Sequence, residues 1–459
     1  MSEKKINRRD FLKIAGITTA TTTAAMYGCA PKAEKALDLN TSTPVPKGKM
    51  TYRTQPKSKD KVSLLGYGCM RYPTVPNPNG EGDLVDQDAV NELVDYAIEH
   101  GVNFFDTAPV YVQGFSETAT GIALKRHPRE KFFVSTKMSN FRDYSYEASV
   151  KLYKQSFKNL QVETIDYYFL HSVGKSGDVE FRERFIDNGV LDFLLKEREA
   201  GRIRHLGFSF HGTQEGFDFA VSIHEKVYWD FAMIQLNYVD WKHATTPRNV
   251  NADYLYAELK KQQIPTIVME PLLGGRLSKV SDYVLSRFKQ RNPEDSVASW
   301  AFRFAGTPEN VLTVLSGMTY MEHLRDNIRT YSPLVPLTAD EKEFLEETAK
   351  VIISYPTIDC TDCKYCMPCP YGIDIPAVLL HYNKCVNEGH IIDNPKNEEY
   401  KKSRRAFLVG YERSVPKLRQ AKLCIGCDIC IPTCPQSINI PEELFRIDRF
   451  VEHLKQTEV

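Results

Sequence analysis

The chain has 459 residues, 59 Lys+Arg against 59 Asp+Glu, 42% hydrophobic residues and 11 cysteines. Its length exceeds the roughly 250–300 residues at which a single core stops growing, and its apolar content excludes a disordered chain. Balanced charge excludes a globally basic surface for nucleic acid, and no run of about 20 uninterrupted apolar residues predicts a membrane span in the mature chain.

Residues 1–29 read MSEKKINRRDFLKIAGITTATTTAAMYGC. A charged start, a soft threonine-rich apolar middle and small residues before a cleavage point predict a signal peptide. Arg8-Arg9 followed by Phe11-Leu12-Lys13 resembles the twin-arginine export signal, which carries proteins already folded. Gly28-Cys29 resembles a lipoprotein processing site at which Cys29 would carry lipid, and a plain cleaved signal is the alternative. Removing residues 1–28 takes five Lys/Arg and two acids, leaving a slightly acidic mature chain of 54 against 57. Residues 30–60 are rich in Lys, Pro, Thr and Ser and read as a flexible linker.

From residue 61 short apolar runs recur: LLGYGCM, VNFFDTA, FFVSTKM, IDYYFLH, IRHLGFSF, FAMIQLNYV, PTIVMEPL and VLTVLSGM. Amphipathic stretches such as Asp88 to His100 and Ser149 to Leu160 lie between them. Eight strands alternating with helices predict an α/β fold, a (β/α)8 barrel over residues 61–335. An open doubly wound sheet is disfavoured because no Gly-x-Gly-x-x-Gly follows a first strand.

Such barrels place their chemistry at the C-terminal ends of the strands. Asp106 and Tyr111 follow the second strand, Lys137 ends the third and His171 the fourth. Singly, each has an ordinary role: a helix cap, a surface charge, a core histidine. Together they form a coherent acid/base set. A lysine ammonium beside a tyrosine favours the phenolate and lowers its pKa, and a carboxylate holds the lysine. The tyrosine then protonates a carbonyl oxygen, and a histidine orients that oxygen.

Asp106-Thr107-Ala108-Pro109-Val110-Tyr111, Ser135-Thr136-Lys137 and Leu170-His171 resemble the aldo-keto reductase family. Supporting matches are Gly201-Arg202-Ile203-Arg204-His205-Leu206-Gly207 leading to Ser209, then Gln235, Asn237, Pro271-Leu272-Leu273-Gly274-Gly275, Ser316-Gly317 and Asp326-Asn327. The resemblance implies a catalytic tetrad of Asp106, Tyr111, Lys137 and His171 that interconverts a carbonyl and an alcohol by hydride transfer. It also implies NAD(P) as cofactor. Ser209 and Gln235 would hold the nicotinamide carboxamide, and Gly274, Gly275, Ser316 and Gly317 would line the pyrophosphate and ribose phosphate. Asn327 would reach the adenine. The sequence departs from the family at Phe210, where an amide often stands, and at Met269-Glu270, the place of an aromatic-Ser pair. His323 and Gly317 stand where basic residues often clamp a 2′-phosphate.

Residues 336–459 change character. A helix is expected over Asp340 to Ile353, followed by two cysteine runs, Cys360, Cys363, Cys366, Cys369 and Cys424, Cys427, Cys430, Cys434, the last of each preceding a proline. The second run has the Cys-x2-Cys-x2-Cys-x3-Cys-Pro spacing of bacterial ferredoxins. The pair resembles a two-cluster ferredoxin, giving a mainly helical iron–sulfur domain whose eight cysteines ligate two [4Fe–4S] clusters. That resemblance implies Cys434 beside Cys360, Cys363 and Cys366, and Cys369 beside Cys424, Cys427 and Cys430. Zinc sites and disulfides are the alternatives; the third and fourth close thiols argue against zinc and the two-residue gaps against disulfides. The intervening 54 residues read as helical over Ile375 to Glu388 and Glu398 to Leu408, and Cys69 and Cys385 as buried residues without a ligand role.

The whole predicts an exported, extracytoplasmic oxidoreductase. Its partners are a small carbonyl or alcohol substrate and a redox protein or other electron partner, with no nucleic acid and no membrane contact beyond lipid at Cys29. Free nicotinamide nucleotides are not expected outside the cytoplasmic membrane, so two readings stand. In one a tightly held nicotinamide crosses with the folded barrel. In the other the barrel has lost nicotinamide and serves an electron-transfer protein as a scaffold.

Overall fold

The structure is a computed structural model that describes residues 44–78, 83–244 and 249–457. The signal peptide expected over residues 1–29, Cys29 itself and the linker as far as residue 43 lie outside these residues.

Eight parallel strands close into a barrel in chain order. Numbered as barrel strands, they are β1 (Leu65–Gly68), β2 (Phe104–Asp106), β3 (Phe133–Met138), β4 (Ile165–Val173), β5 (Ile203–Phe210), β6 (Phe231–Gln235), β7 (Thr266–Met269) and β8 (Val311–Ser316). Each coincides with one of the eight apolar runs, β4 running two residues beyond its own. A parallel barrel strand faces the interior on one side and helices on the other, so both faces must be apolar; all nine residues of β4 are buried. Phe104, Tyr167, Phe169, Phe231, Met233, Ile267, Leu312 and Leu315 fill the interior. The register pairs Asp106 with Ser135 and Lys137 with Phe169, aligning the chemistry-bearing strand ends at one mouth.

The outer helices follow their sequence signals. Tyr146–Leu160 begins at Ser145, whose side chain accepts from Ala148 N, and buries Ser149, Tyr153, Ser156 and Leu160 at helical spacing. Two elements differ from the sequence expectation. Tyr52–Thr54, within the expected linker, pairs antiparallel with Lys61–Ser63 and places Val62 among the barrel's interior side chains. Strands of three residues are too short to show a period of two. The helix Ala339–Ile353, capped reciprocally by Thr338 and Glu341, packs Leu345 and Ala349 against Phe288 and Trp300, so it belongs with the barrel's flank.

A separate core begins at Ile358 and joins the helices Ile375–Asn387, Tyr400–Ser414 and Ile440–Gln456 through Val378, Leu379, Phe407, Leu444 and Ile447. No strand occurs among the described residues beyond Ser316, and no described helix is long and apolar enough to cross a membrane.

Trp300 is 1% exposed and its ring lies 5.5 Å from that of Phe344. Trp300→Ala is expected to lower stability by about 3–5 kcal/mol, as large aromatic truncations in a core do. The shift in denaturant midpoint checks this; an unshifted midpoint would contradict the placement of the helix.

Candidate active site

The mouth is organised by a buried charge. Lys137 is fully buried, with its Nζ 2.7 Å from both Asp106 carboxylate oxygens and 2.7 Å from the Thr107 carbonyl. Asp106 also accepts from Ser135 Oγ at 2.6 Å. The ammonium stands 4.8 Å from the centroid of the Tyr111 ring, within cation–π range. Tyr111 begins a short 3₁₀ turn, Tyr111–Gly114, in which Val112 has φ +48°, a left-handed conformation that a β-branched residue rarely adopts. The His171 ring meets Tyr111 edge-on at 6.0 Å, and its Nδ1 lies 2.6 Å from Ser139 Oγ. The buried Arg184 donates to the His171 carbonyl at 2.8 Å and to that of Ser172 at 3.1 Å, fixing the end of β4. The structure thus brings Asp106, Tyr111, Lys137 and His171 together.

The electrostatics depart from the sequence expectation at one point. Burial lowers the Lys137 pKa, and Asp106 opposes the fall. Tyr111 is pushed well above the ordinary tyrosine value rather than down: burial contributes most, followed by Tyr365, Asp106 and Glu270. The ammonium is matched by Asp106, so the acids and a second phenol govern the hydroxyl and keep it protonated. His171 falls well below the usual histidine value through burial and the cations Lys137 and Arg184, so its ring is neutral.

The second phenol was not legible as a site residue. Tyr365 lies between Cys363 and Cys366, close enough to Tyr111 for the two hydroxyls to act on each other. The loop that carries it is clamped to the barrel by two arginines. Arg71 bonds Asp362 at 3.1 Å and the Thr361 carbonyl at 2.5 Å; Arg276 bonds Asp359 at 2.7 Å and Thr357 Oγ1 at 2.9 Å.

The residues implied for nicotinamide also meet at this mouth, engaged by the chain itself. Ser209 Oγ accepts from Ser172 N at 2.8 Å. Gln235 donates to Asp240 at 2.6 Å and accepts from the Gln436 amide at 3.2 Å. Gly274 N donates to the Glu270 carboxylate at 2.5 Å, and Gly275 follows with φ +98°. Ser316 Oγ accepts from Asn327 at 2.9 Å, and Gly317 lies against the Arg71 side chain.

The eight clustered cysteines fall into two sets by mutual proximity. Burial, then Asp362 and Cys434, raise Cys360 to about 11; burial, then Cys434 and Cys360, raise Cys363 to about 12, and Cys434 also acts on Cys366. Cys369 acts on Cys424 and Cys430 together with Cys427. The two loops repeat one backbone pattern: Asp362 and Lys364 have positive φ, as do Gly426 and Asp428 at the equivalent positions. Backbone N–H groups of Asp362 and Gly426 hydrogen-bond the first sulfur of each run. No three His, Cys, Asp or Glu side chains among the described residues converge on a single-ion site. Cys69 and Cys385 are buried, the first in the barrel's core and the second in the core of the C-terminal module.

A model of the aldo/keto reductase family matches residues 64–350. The chain belongs to the aldo/keto reductase family. It is an oxidoreductase, and the match covers the barrel and its flanking helix. A probable aldo-keto reductase 1 of Glycine max is 34% identical over 157 residues, 32% of this chain and 42% of that protein. L-galactose dehydrogenase of Arabidopsis thaliana is 24% identical over 310 residues, 63% of this chain and 90% of that enzyme. The chain thus spans less than half of the soybean protein and most of the Arabidopsis one. The holo form of aldo-keto reductase AKR11C1 from Bacillus halodurans shares the fold at TM-score 0.51 and 22% identity, covering 65% of this chain and 96% of that one.

His211, near Lys175, is lowered by burial from 6.5 to about 4. The unfolded chain therefore takes up this proton near pH 6.5 while the folded reductase resists it, so its contribution is present above 6.5 and lost toward pH 4. Stability measured across that window is expected to fall less steeply in His211→Asn than in the unsubstituted protein; equal slopes would contradict the shift.

Proposed function

We propose that the barrel interconverts a carbonyl and an alcohol with Tyr111 as general acid/base. Two [4Fe–4S] clusters in the C-terminal module pass electrons to or from an external redox partner. The observation that carries this reading is the joining of the buried Asp106–Lys137–Tyr111–His171 set to a cysteine loop through Tyr365.

In the reducing direction the protonated Tyr111 hydroxyl donates to the carbonyl oxygen. In the tautomer in which Ser139 Oγ donates to His171 Nδ1, the proton of the neutral ring sits on Nε2, where it would hydrogen-bond the same oxygen. In the oxidising direction Tyr111 would start as the phenolate, which the Lys137 ammonium beside its ring steadies, and would become the neutral phenol on accepting the alcohol proton. Besides the Tyr111 proton, reduction of the carbonyl needs two electrons and a second proton; these would come as a hydride from a nicotinamide or, one electron at a time with a proton from solvent, from the external redox partner through the clusters.

The donor set of the module fits the proposed clusters: two groups of four thiols, each with backbone N–H bonds to sulfur, which is how proteins tune such centres. Cys360, Cys363, Cys366 and Cys434 would hold one, and Cys369, Cys424, Cys427 and Cys430 the other. Bound there, they would supply one-electron transfer. Bare buried thiols hold their protons, as their raised pKa values reflect; metal coordination removes them. Clusters are assembled in the cytoplasm, so a twin-arginine signal, which exports folded protein, is consistent with them and with an extracytoplasmic place of work.

The second reading, an electron-transfer protein whose barrel is a docking or substrate-binding scaffold without nicotinamide, is favoured by the engagement of Gln235 with Asp240 and Gln436. Tyr111→Phe separates the two. It is expected to lower carbonyl turnover by about 10²–10⁴-fold, the usual worth of a general acid, with the visible spectrum unchanged; undiminished turnover refutes the tetrad assignment. Protein purified without oxygen is expected to carry about eight irons per chain and a broad visible absorption that dithionite bleaches. Stoichiometric zinc without iron refutes the clusters.

A further inference from the structure

A dinucleotide at this mouth needs groups complementary to a carboxamide, N–H groups and cations for a pyrophosphate, and space beside Tyr111. The chain itself occupies all three, the C-terminal module together with Glu270 of the barrel. The carboxamide of Gln436 donates to Gln235 Oε1 at 3.2 Å, offering the same chemical group that nicotinamide carries. The cations flanking the glycine loop are paired, Arg71 with Asp362 and Arg276 with Asp359. The loop amide of Gly274 already donates to a carboxylate, that of Glu270. Gly274 is in backbone contact with the module: a Cβ there would stand 2.3 Å from the Thr361 carbonyl oxygen. Tyr365 completes the arrangement by lying beside the buried Tyr111. A pyrophosphate entering here would meet three carboxylates, Glu270, Asp359 and Asp362, whose counter-charges are committed, and like charges at such range repel.

We infer that the C-terminal module stands in for the dinucleotide. Gln436 replaces the carboxamide, Asp359 and Asp362 replace the pyrophosphate charge, and the first cysteine loop covers Tyr111, so the barrel does not bind NAD(P)H. The inference shares the mouth geometry with the carbonyl reading and is independent of the metal bound by the cysteines. It also removes the need for a nicotinamide nucleotide beyond the cytoplasmic membrane.

The test is equilibrium dialysis of the purified full-length protein, its metal content intact, against NADPH and against NADH. No saturable binding is expected up to about 1 mM, and no nucleotide in the extract of the denatured protein; micromolar binding by the unsubstituted protein overturns the inference. The double variant Asp359→Asn/Asp362→Asn, its fold checked by circular dichroism and by its visible spectrum, frees both arginines. It is expected to bind NADPH at least about tenfold more tightly than the unsubstituted protein. A folded double variant that binds no better overturns the inference, because the exclusion would not come from the module's acids. Should the double variant fail to fold, Gln436→Ala takes its place with the same two outcomes. Neither result bears on the effect of Tyr111→Phe, so this inference and the carbonyl reading fail separately.

Discussion

A lysine ammonium with no access to water must have its charge answered within the fold, and the arrangement of this barrel's mouth depends on that requirement. Desolvating an ion costs several kcal/mol even after relaxation, and the cost is offset only when geometry and hydrogen bonds are both good. Lys137 has both, with two carboxylate oxygens and one carbonyl at 2.7 Å. Satisfying it fixes the ends of β2 and β3 against each other and sets the Tyr111 ring against the ammonium. A consequence for chemistry follows. A cation committed to its carboxylate does little to acidify a neighbouring phenol, so Tyr111 is held in its protonated, donating form by burial and by the acids around it.

A second constraint comes from the glycine loop after β7. Its anion-binding features are all present: a free-turning backbone, an exposed amide and two flanking arginines. Each has a partner from within the chain: the amide is taken by Glu270 of the barrel, and the two arginines by Asp359 and Asp362 of the segment that carries four of the clustered cysteines. Barrel and module are therefore joined where function is expected, by groups that a soluble cofactor would otherwise use. The Arg71–Asp362 and Arg276–Asp359 pairs are partly buried, and partial burial lets ion pairs hold a loop in register more firmly than surface pairs do.

The barrel was legible in the sequence because a strand covered on both faces must be apolar along its length, and eight such runs are hard to mistake. The tetrad was legible because a barrel gathers its strand ends, so Asp106, Lys137 and His171 at successive ends had to meet. Three things were hidden, each for a physical reason. The hairpin pairing Tyr52–Thr54 with Lys61–Ser63 is too short for a periodic signal and reads as linker. The direction of the Tyr111 shift is set first by burial and then by Tyr365, Asp106 and Glu270, all of which act only in the folded chain. Tyr365 and Gln436 lie within or just after cysteine runs, where spacing drew attention to the thiols and nothing in the pattern distinguished the residues between them. Glu270 did leave a trace, as a departure from the family pattern whose meaning needed its bond to Gly274.

The first cysteine loop is seated beside Tyr111, so that barrel and module share one site. A double-mutant cycle of Tyr111→Phe and Tyr365→Phe, measured by denaturant unfolding, tests that contact most directly. Residues in contact show coupling energies of about 0.5–3 kcal/mol, whereas distant ones add within about 0.3–0.5 kcal/mol. The account predicts coupling in the first range; additive effects of the two substitutions would contradict it.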